Sequence, residues 1–496
     1  MTRQKKRQGS QAHENPLEKS LARYRELLDP LDFSLLMEEL ESPLVGGLRL
    51  NPLKAQPADL QTWCKRYRWK IEPVPFCPSG FRLPIRDTNP GSTLEHRMGA
   101  FYLQDVASML PPELFNFDLM EKPLILDMAA SPGGKTTHLI ARTEDMGLVI
   151  SNDGSHSRIP ALRSVLQSWG TVNTAITCLP GESFGRNFPE LFDAVLLDAP
   201  CSMDGLRATD AHPLRSITDS ERTSLAHRQT ALLRSALQAV RLGGQVVYAT
   251  CTLAPEENEA VLDTVLGMYP GQVEVDDLSI EKNISAPALI IDGNRDFHPT
   301  IRNAFRLWPH TFKTAGFFSA RLRKTQTIPP GREKYREKTT PGERPVTLPK
   351  SEVVSVVGFL QSVYGIYLEP MLNAYQLFLA KQKDSILLLP GKLGERIPTL
   401  KFITTGMSLA EITPGGLEIS HDFCSRFGKI IPAGWAELPD PLKAPWLRGV
   451  DIPRESVSGL PANRIILLRN SEGEFIGRGR VTSDRIKNLL PRRVLL

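Results

Sequence analysis

Leu124-Ile-Leu-Asp-Met-Ala-Ala-Ser-Pro-Gly-Gly-Lys-Thr136 is the stretch whose reading decides how this chain folds. A short apolar run, Leu124–Leu126, ends on an acid, Asp127. It then passes through Gly133 and Gly134 into a helical pattern over Thr136–Arg142. Strand, glycine turn and helix in that order build a crevice at the strand's carboxyl end. The glycines let the backbone turn sharply there, and the new helix offers free N–H groups. A phosphate-binding P-loop is the competing reading. It needs glycine at position 129 ahead of Gly134-Lys135-Thr136, and Ala129 stands there instead. An acid at the strand end also suits a cationic ligand better than a triphosphate. A cofactor with a positively charged methionine head fits.

The same rhythm continues outward. Leu148–Ile150, Ala194–Leu197 and Gln245–Tyr248 read as further buried strands, and Ile159–Trp169 and Leu225–Val240 as helices between them. This alternation predicts a Rossmann-like, doubly wound α/β sheet over 117–324. Upstream, 16–116 reads as a small α/β domain. Leu21, Tyr24, Leu27 and Leu28 recur at helical spacing, as does the run from Leu31 to Leu40, and strands are expected at Leu48–Leu53 and Trp69–Val74. Residues 1–15, with Arg3, Lys5, Lys6 and Arg7, read as a flexible basic arm. Downstream, 325–350 is rich in Pro, Gly and charge and reads as a linker. The segment 351–430 is expected to be a central C-terminal domain, helical over Val353–Ala380 with a strand at Ser385–Leu389. The last segment, 431–496, reads as a β-rich module with a strand at Ile465–Leu468 and clustered Arg478, Arg480, Arg485, Arg492 and Arg493.

The bulk properties exclude several classes. A length of 496 residues favours several domains. The net charge of +5 is mildly basic, which permits a nucleic-acid partner through local patches without demanding one. The charged start MTRQKKRQGSQ is no signal peptide, and the apolar stretch Val353–Leu368 is interrupted by Ser355, Gly358, Gln361 and Gly365. It also falls short of the ~20 residues of a spanning helix, so no membrane partner and a cytoplasmic location are expected. Six cysteines without CxxC or Cys/His spacing argue against a disulfide framework and against a metal site. Cys64, Cys77, Cys178 and Cys424 read as packing.

Ligands of an open parallel sheet bind beyond the carboxyl ends of its strands. Asp153 follows the second strand, nineteen residues after Gly134, a spacing at which a carboxylate accepts from both ribose hydroxyls. Asp198-Ala-Pro-Cys201 and Ala249-Thr-Cys251 follow the two later strands. A structural cysteine lies inside an apolar run; these two stand at strand tips. Carbon 5 of cytosine is too weak a nucleophile to take a methyl group from a sulfonium. A thiolate adding at carbon 6 raises the electron density at carbon 5, and a second cysteine can help to release the product. Asp198 would face the ring near N3. A cysteine hydrolase ranks behind, because no histidine stands beside either thiol in the sequence.

Together these residues resemble the RNA cytosine-5 methyltransferases of the RsmB/Nop2/NSUN type, and within them the bacterial branch acting on 16S ribosomal RNA in the decoding region. The resemblance rests on Arg49-Leu-Asn-Pro-Leu-Lys54, Gly99–Pro111, the glycine loop, Asp198–Ser202, Tyr248-Ala-Thr-Cys-Thr-Leu-Ala-Pro-Glu-Glu-Asn-Glu259 and Gly316–Lys324. Trp446–Pro453 and the arginine-rich ending carry it into the tail. It implies a class I methyltransferase sheet with a small N-terminal α/β RNA-binding domain and a C-terminal PUA-like RNA-binding module. Cys251 would be the nucleophile, Cys201 the release thiol and Asp198 the contact to cytosine. Ala129, Ala130, Ser131, Pro132, Gly133, Gly134, Lys135, Asp153 and Asp198 would line the S-adenosylmethionine site, with Lys135 also reaching the substrate. The partner would be 16S ribosomal RNA within the small subunit. A non-catalytic RNA-binding assembly factor that kept the fold is the alternative. Two departures stand out: Pro180 replaces an acid expected to contact adenine, leaving backbone or Glu182, and Met203 replaces a glycine beside Cys201. Removing 325–496 is expected to weaken RNA binding more than cofactor binding.

Overall fold

The computed structural model describes residues 16–85, 87–118, 120–207, 215–293, 295–330, 345–391, 393, 397, 400–457 and 464–495. The basic arm and residues 331–344 of the expected linker lie outside them. The centre of the chain alternates strand and helix: β1 (Leu124–Asp127), α1 (Gly134–Arg142), β2 (Leu148–Asn152), α2 (Ile159–Trp169), β3 (Thr174–Thr177), β4 (Phe192–Asp198), α3 (Asp219–Ala239), β5 (Val240–Thr250), α4 (Glu259–Met268), β6 (Val273–Val275) and β7 (Phe317–Lys324). They form one sheet of order β6-β7-β5-β4-β1-β2-β3, to which the short β8 (Thr404–Thr405) adds at the far edge. The strands β5, β4, β1, β2 and β3 are mutually parallel, whereas β7 and β8 run antiparallel to their neighbours. Strand order reverses between β1 and β4, which opens a crevice there.

Local chemistry accounts for these elements. β1, β2 and β3 are buried along their whole length, as parallel strands covered on both faces must be. Leu124 and Leu126 pack on one face against Leu232, Leu233 and Leu237 of α3, while Ile125 packs on the other with Leu139 and Leu162 of α1 and α2. Each such side chain is worth about 1.5–3 kcal/mol of burial. α3 is capped by Thr218, whose hydroxyl accepts the Glu221 N–H, seven residues ahead of the apolar pattern at Leu225. α2 stops at Gly170, which takes a left-handed φ of 83°.

The N-terminal region adds three helices longer than two turns, Pro16–Tyr24, Pro30–Glu41 and Pro57–Tyr67, and a four-stranded antiparallel sheet. Its motif Arg49–Lys54 is a set of anchors onto the central sheet. Arg49 donates to Gly134 O (3.0 Å) and Thr137 Oγ1 (2.7 Å) and lies 4.7 Å over the Trp169 ring. Asn51 donates to Gly99 O and Trp169 O. Lys54 donates to Met98 O, Ser168 O and Ser425 Oγ, joining three parts of the chain at one ammonium.

Beyond 345 the structure departs from the sequence reading. The helix expected over Val353–Ala380 is two helices, Lys350–Tyr364 and Leu368–Tyr375, followed by a strand, Leu377–Gln382. Gly365 (φ 70°) and Gln376 (φ 54°) end the helices, and the strand pairs with Ser385–Pro390 as a hairpin. The chain then returns to the central sheet. Leu393, Ile397 and Leu400 join the core cluster on the α3 face of the central sheet, and β8 pairs with β3. The final module is a five-stranded mixed sheet, Trp435–Glu437 to Arg485–Asn488, around the buried Trp446. Periodicity also missed β3, whose Thr174 and Thr177 disguise a buried strand, and did not single out β7 as one.

Candidate active site

Four of the five parallel strands deliver a polar residue to the same edge. Asp127 ends β1, Asp153 follows β2, Asp198 ends β4 and Cys251 follows β5. Cys201 comes three residues after Asp198, and its Sγ stands 3.3 Å from Cys251 Sγ. Both thiols are free and only partly buried. The hydrogen bond to Cys251 pushes the Cys201 thiol well above its ordinary range, with burial and the charges of Cys251 and Glu257 acting the same way.

Lys135, from the first turn of α1, closes the other side. Its Nζ is 2.8 Å from Asp198 Oδ2 and 5.2 Å from the centre of the Phe317 ring. Burial lowers its basicity, but Asp198 foremost, then Cys251 and Asp127, hold it above the usual lysine range. Asp198, Lys135, Cys201 and Cys251 thus lie together at the carboxyl edge of the sheet.

The glycine loop sits where the sequence put it, for a further reason. Gly133 has φ 119°, and a Cβ on it would meet Val165 at 3.0 Å; one on Gly134 would meet the Tyr102 ring at 2.9 Å. The glycines are required by packing as well as by the turn. Ala130 donates its N–H to Asn152 O, and Ser131 bonds Asp153 Oδ2. Asp127 accepts from Thr136 Oγ1 at 2.6 Å through one oxygen, while its other oxygen is buried without a partner. Burial first, and the nearby Asp198 charge, push its pKa to about 7. A buried carboxylate with an orphaned oxygen fits a cationic ligand. Asp153 is tied by the N–H groups of Ser131 and Ser155, and Arg158 lies 3.4 Å away. A carboxylate offers about four lone-pair sites, so two hydroxyl donors fit once the exposed Arg158 swings aside.

Some residues escaped the sequence reading. Asn152 donates to Met128 O and Leu179 O and accepts from Thr177 Oγ1 and Leu179 N–H, fastening three strand ends together. Glu182, put forward for adenine in place of Pro180, reaches instead toward Arg228 of α3 at 3.4 Å. Met203 holds a left-handed φ of 60° with its side chain 42% exposed beside Cys201. Cys77, read as packing, lies within a buried group with Glu113 and His138. Glu113 there already pairs with Arg142 at 2.6 Å, and burial drives His138 down to about 4. Among the described residues no helix is long and apolar enough to cross a membrane.

A parallel Rossmann-like sheet with a glycine loop, carboxylates at the strand ends and a crevice for a cationic cofactor defines an S-adenosylmethionine-dependent methyltransferase. Comparison with known proteins narrows the class. The profile of the 16S rRNA methyltransferase RsmB/F family matches residues 115–323, and that of the N-terminal domain of 16S rRNA methyltransferase RsmF matches residues 18–106. The chain is 34% identical over 474 residues to the ribosomal RNA small subunit methyltransferase F of Erwinia tasmaniensis, covering 95% of this chain and 94% of the relative. It is 32% identical over 469 residues to that of Aeromonas salmonicida, covering 91% of each. Among solved structures, a methyltransferase homologue from Pyrococcus horikoshii aligns with TM-score 0.52 and 30% identity, over 62% of this chain and 99% of that one. This chain belongs to the RsmB/F family of 16S ribosomal RNA methyltransferases, and S-adenosylmethionine is its methyl donor.

Proposed function

We propose that the chain methylates carbon 5 of a cytosine in the decoding region of 16S ribosomal RNA, within the small subunit, through a covalent bond from Cys251 to cytosine carbon 6. The observation that carries this reading is the 3.3 Å approach of two thiols at adjacent strand tips, next to the cofactor crevice. Covalent catalysis divides one hard substitution into easier steps, and it needs a nucleophile and a separate base in this arrangement.

Cys201 donates its S–H toward Cys251 and so stabilises Cys251 as the attacking sulfur. Addition at carbon 6 sends electron density to carbon 5 and toward ring N3 and O2. In this reading Lys135, held as a cation by Asp198, donates toward that growing negative charge, and Asp198 accepts from the exocyclic amine. S-adenosylmethionine supplies an electrophilic methyl group on a sulfonium when held by residues 129–135 and Asp153. Once Cys251 is a thioether it no longer accepts from Cys201, which gives its own proton to water and, as thiolate, acts as the base that takes the carbon 5 proton. The basic arm, the N-terminal sheet and the arginine-rich last module supply the charges for RNA phosphates.

Bisulfite sequencing of 16S ribosomal RNA from cells with and without the protein tests the reading. One protected cytosine should vanish with the protein and fail to return with Cys251→Ala. A methyl group found on another atom, or a Cys251→Ala protein that restores it, refutes the proposal.

A further inference from the structure

Glu257 lies six residues beyond Cys251 and is fully buried, an unusual place for a charge. Its carboxylate faces the loop that carries the other thiol. One oxygen accepts the Ser202 N–H at 2.9 Å and the Gln229 side-chain amide at 2.9 Å. The other accepts from Arg222 at 3.3 Å, which offsets the buried charge. Gln229 Nε2 also donates to Pro200 O at 2.9 Å. Both flanks of Cys201 are therefore fastened, Ser202 directly and Pro200 through Gln229. Glu257 is itself anchored, because the Tyr248 hydroxyl donates to its carbonyl at 2.5 Å. A single carboxylate of the Cys251 loop clamps the Cys201 loop.

We propose that Glu257 is a positioning residue for product release: by gripping both flanks of the Cys201 loop it holds that thiol in reach of Cys251. The inference rests on the reading of the two thiols given above. In the release step Cys201, having given its own proton to water, takes the carbon 5 proton as a thiolate, and the C–H electron pair forms the C5–C6 double bond. The C6–S bond breaks, and its pair leaves on Cys251 as thiolate. The groups facing Cys201 are Cys251, Tyr248 and Glu257 from β5 and its loop, and the Met203 N–H of its own loop; Asp198 with Lys135 and Arg222 stand behind them. With Cys251 bound to the base, burial and the Glu257 charge are what remain to keep the proton on Cys201.

The test is single-turnover kinetics of full-length Glu257→Gln on 16S RNA with S-adenosylmethionine, alone and combined with Cys201→Ala. Formation of the RNA-linked protein should change less than about threefold, while its release slows roughly 10- to 100-fold. The acid limb of the release rate should move to lower pH, since a negative charge beside Cys201 is gone; a purely structural role would leave that limb in place. In the Cys201→Ala background Glu257→Gln should add no further slowing. Equal slowing of formation and release, an unmoved pH limb, or added slowing without Cys201 overturns the proposal. If Glu257→Gln does not fold, Gln229→Ala, which frees only the Pro200 flank, should show the same selectivity at smaller amplitude, and no effect overturns it. Methyl transfer that survives Cys251→Ala would instead sink the underlying thiol reading.

Discussion

Removing residues 350–496 should disable the methyl-transfer half of the protein as well as any RNA-reading tail. Leu393, Ile397 and Leu400 are 9%, 2% and 3% exposed, and they are buried in the core of the central sheet rather than in the modules around them. At about 1.5–3 kcal/mol each, their loss withdraws roughly 4.5–9 kcal/mol. That rivals the 5–15 kcal/mol that typically separates a folded domain from its unfolded chain. β8 goes with them, and β3 loses the bonds from Ile403 N–H to Ile176 O and from Gly406 N–H to Thr174 O. The melting temperature should fall by about 10 °C or more. Cofactor binding should weaken with it, because Leu179 at the end of β3 packs in the same core as Leu393. Thermal melts and titration calorimetry with S-adenosylmethionine measure both, with full-length Leu400→Ala as a milder control expected to lose about 2–5 kcal/mol. A truncated protein that melts within ~2 °C of the full chain, binds the cofactor normally and has lost only RNA would refute the reasoning, and restore the tail as a separable appendage.

Cys201→Ala should leave an RNA-linked protein visible as a shifted band on denaturing gels, since loss of a base slows release by about 10²–10⁴ while loss of one hydrogen bond to Cys251 slows formation by less; a band from Cys251→Ala instead would reverse the two roles. Asp127, raised by burial to about 7 from 3.8, favours the folded state below pH 3.8 and loses that contribution as pH rises through 7. A cationic cofactor favours its ionised form, so affinity should climb by up to about tenfold per pH unit below 7 and level off above it. Calorimetry in two buffers of different ionisation enthalpy should show proton release at pH 6 and none in Asp127→Asn; absent release in the parent protein contradicts the assignment. Arg306 and Glu259 form a fully buried pair, with Arg306 also donating to Leu253 O. Arg306→Leu should destabilise by about 3–5 kcal/mol in urea unfolding, because it strands a buried carboxylate; a change below about 1 kcal/mol would mean the pair is better solvated than its burial implies.

The sequence by itself determined four of the five parallel strands of the central sheet and the residues that stand at their tips. Leu124–Leu126, Gly133, Gly134, Cys201 and Cys251 are legible because a strand, its turn and its tip are local events, fixed within a few residues. It did not determine which side chains meet. That Glu257 reaches back to Ser202, that Arg49 anchors Gly134, and that Lys135 pairs with Asp198 depend on folding together positions between 55 and 85 residues apart. The clearest case is the set Leu393, Ile397, Leu400 and Thr404–Thr405. Linear composition reads it as part of an appendage, yet an apolar segment is stable wherever it escapes water, and only the packed sheet shows that its place is against β3 and α3.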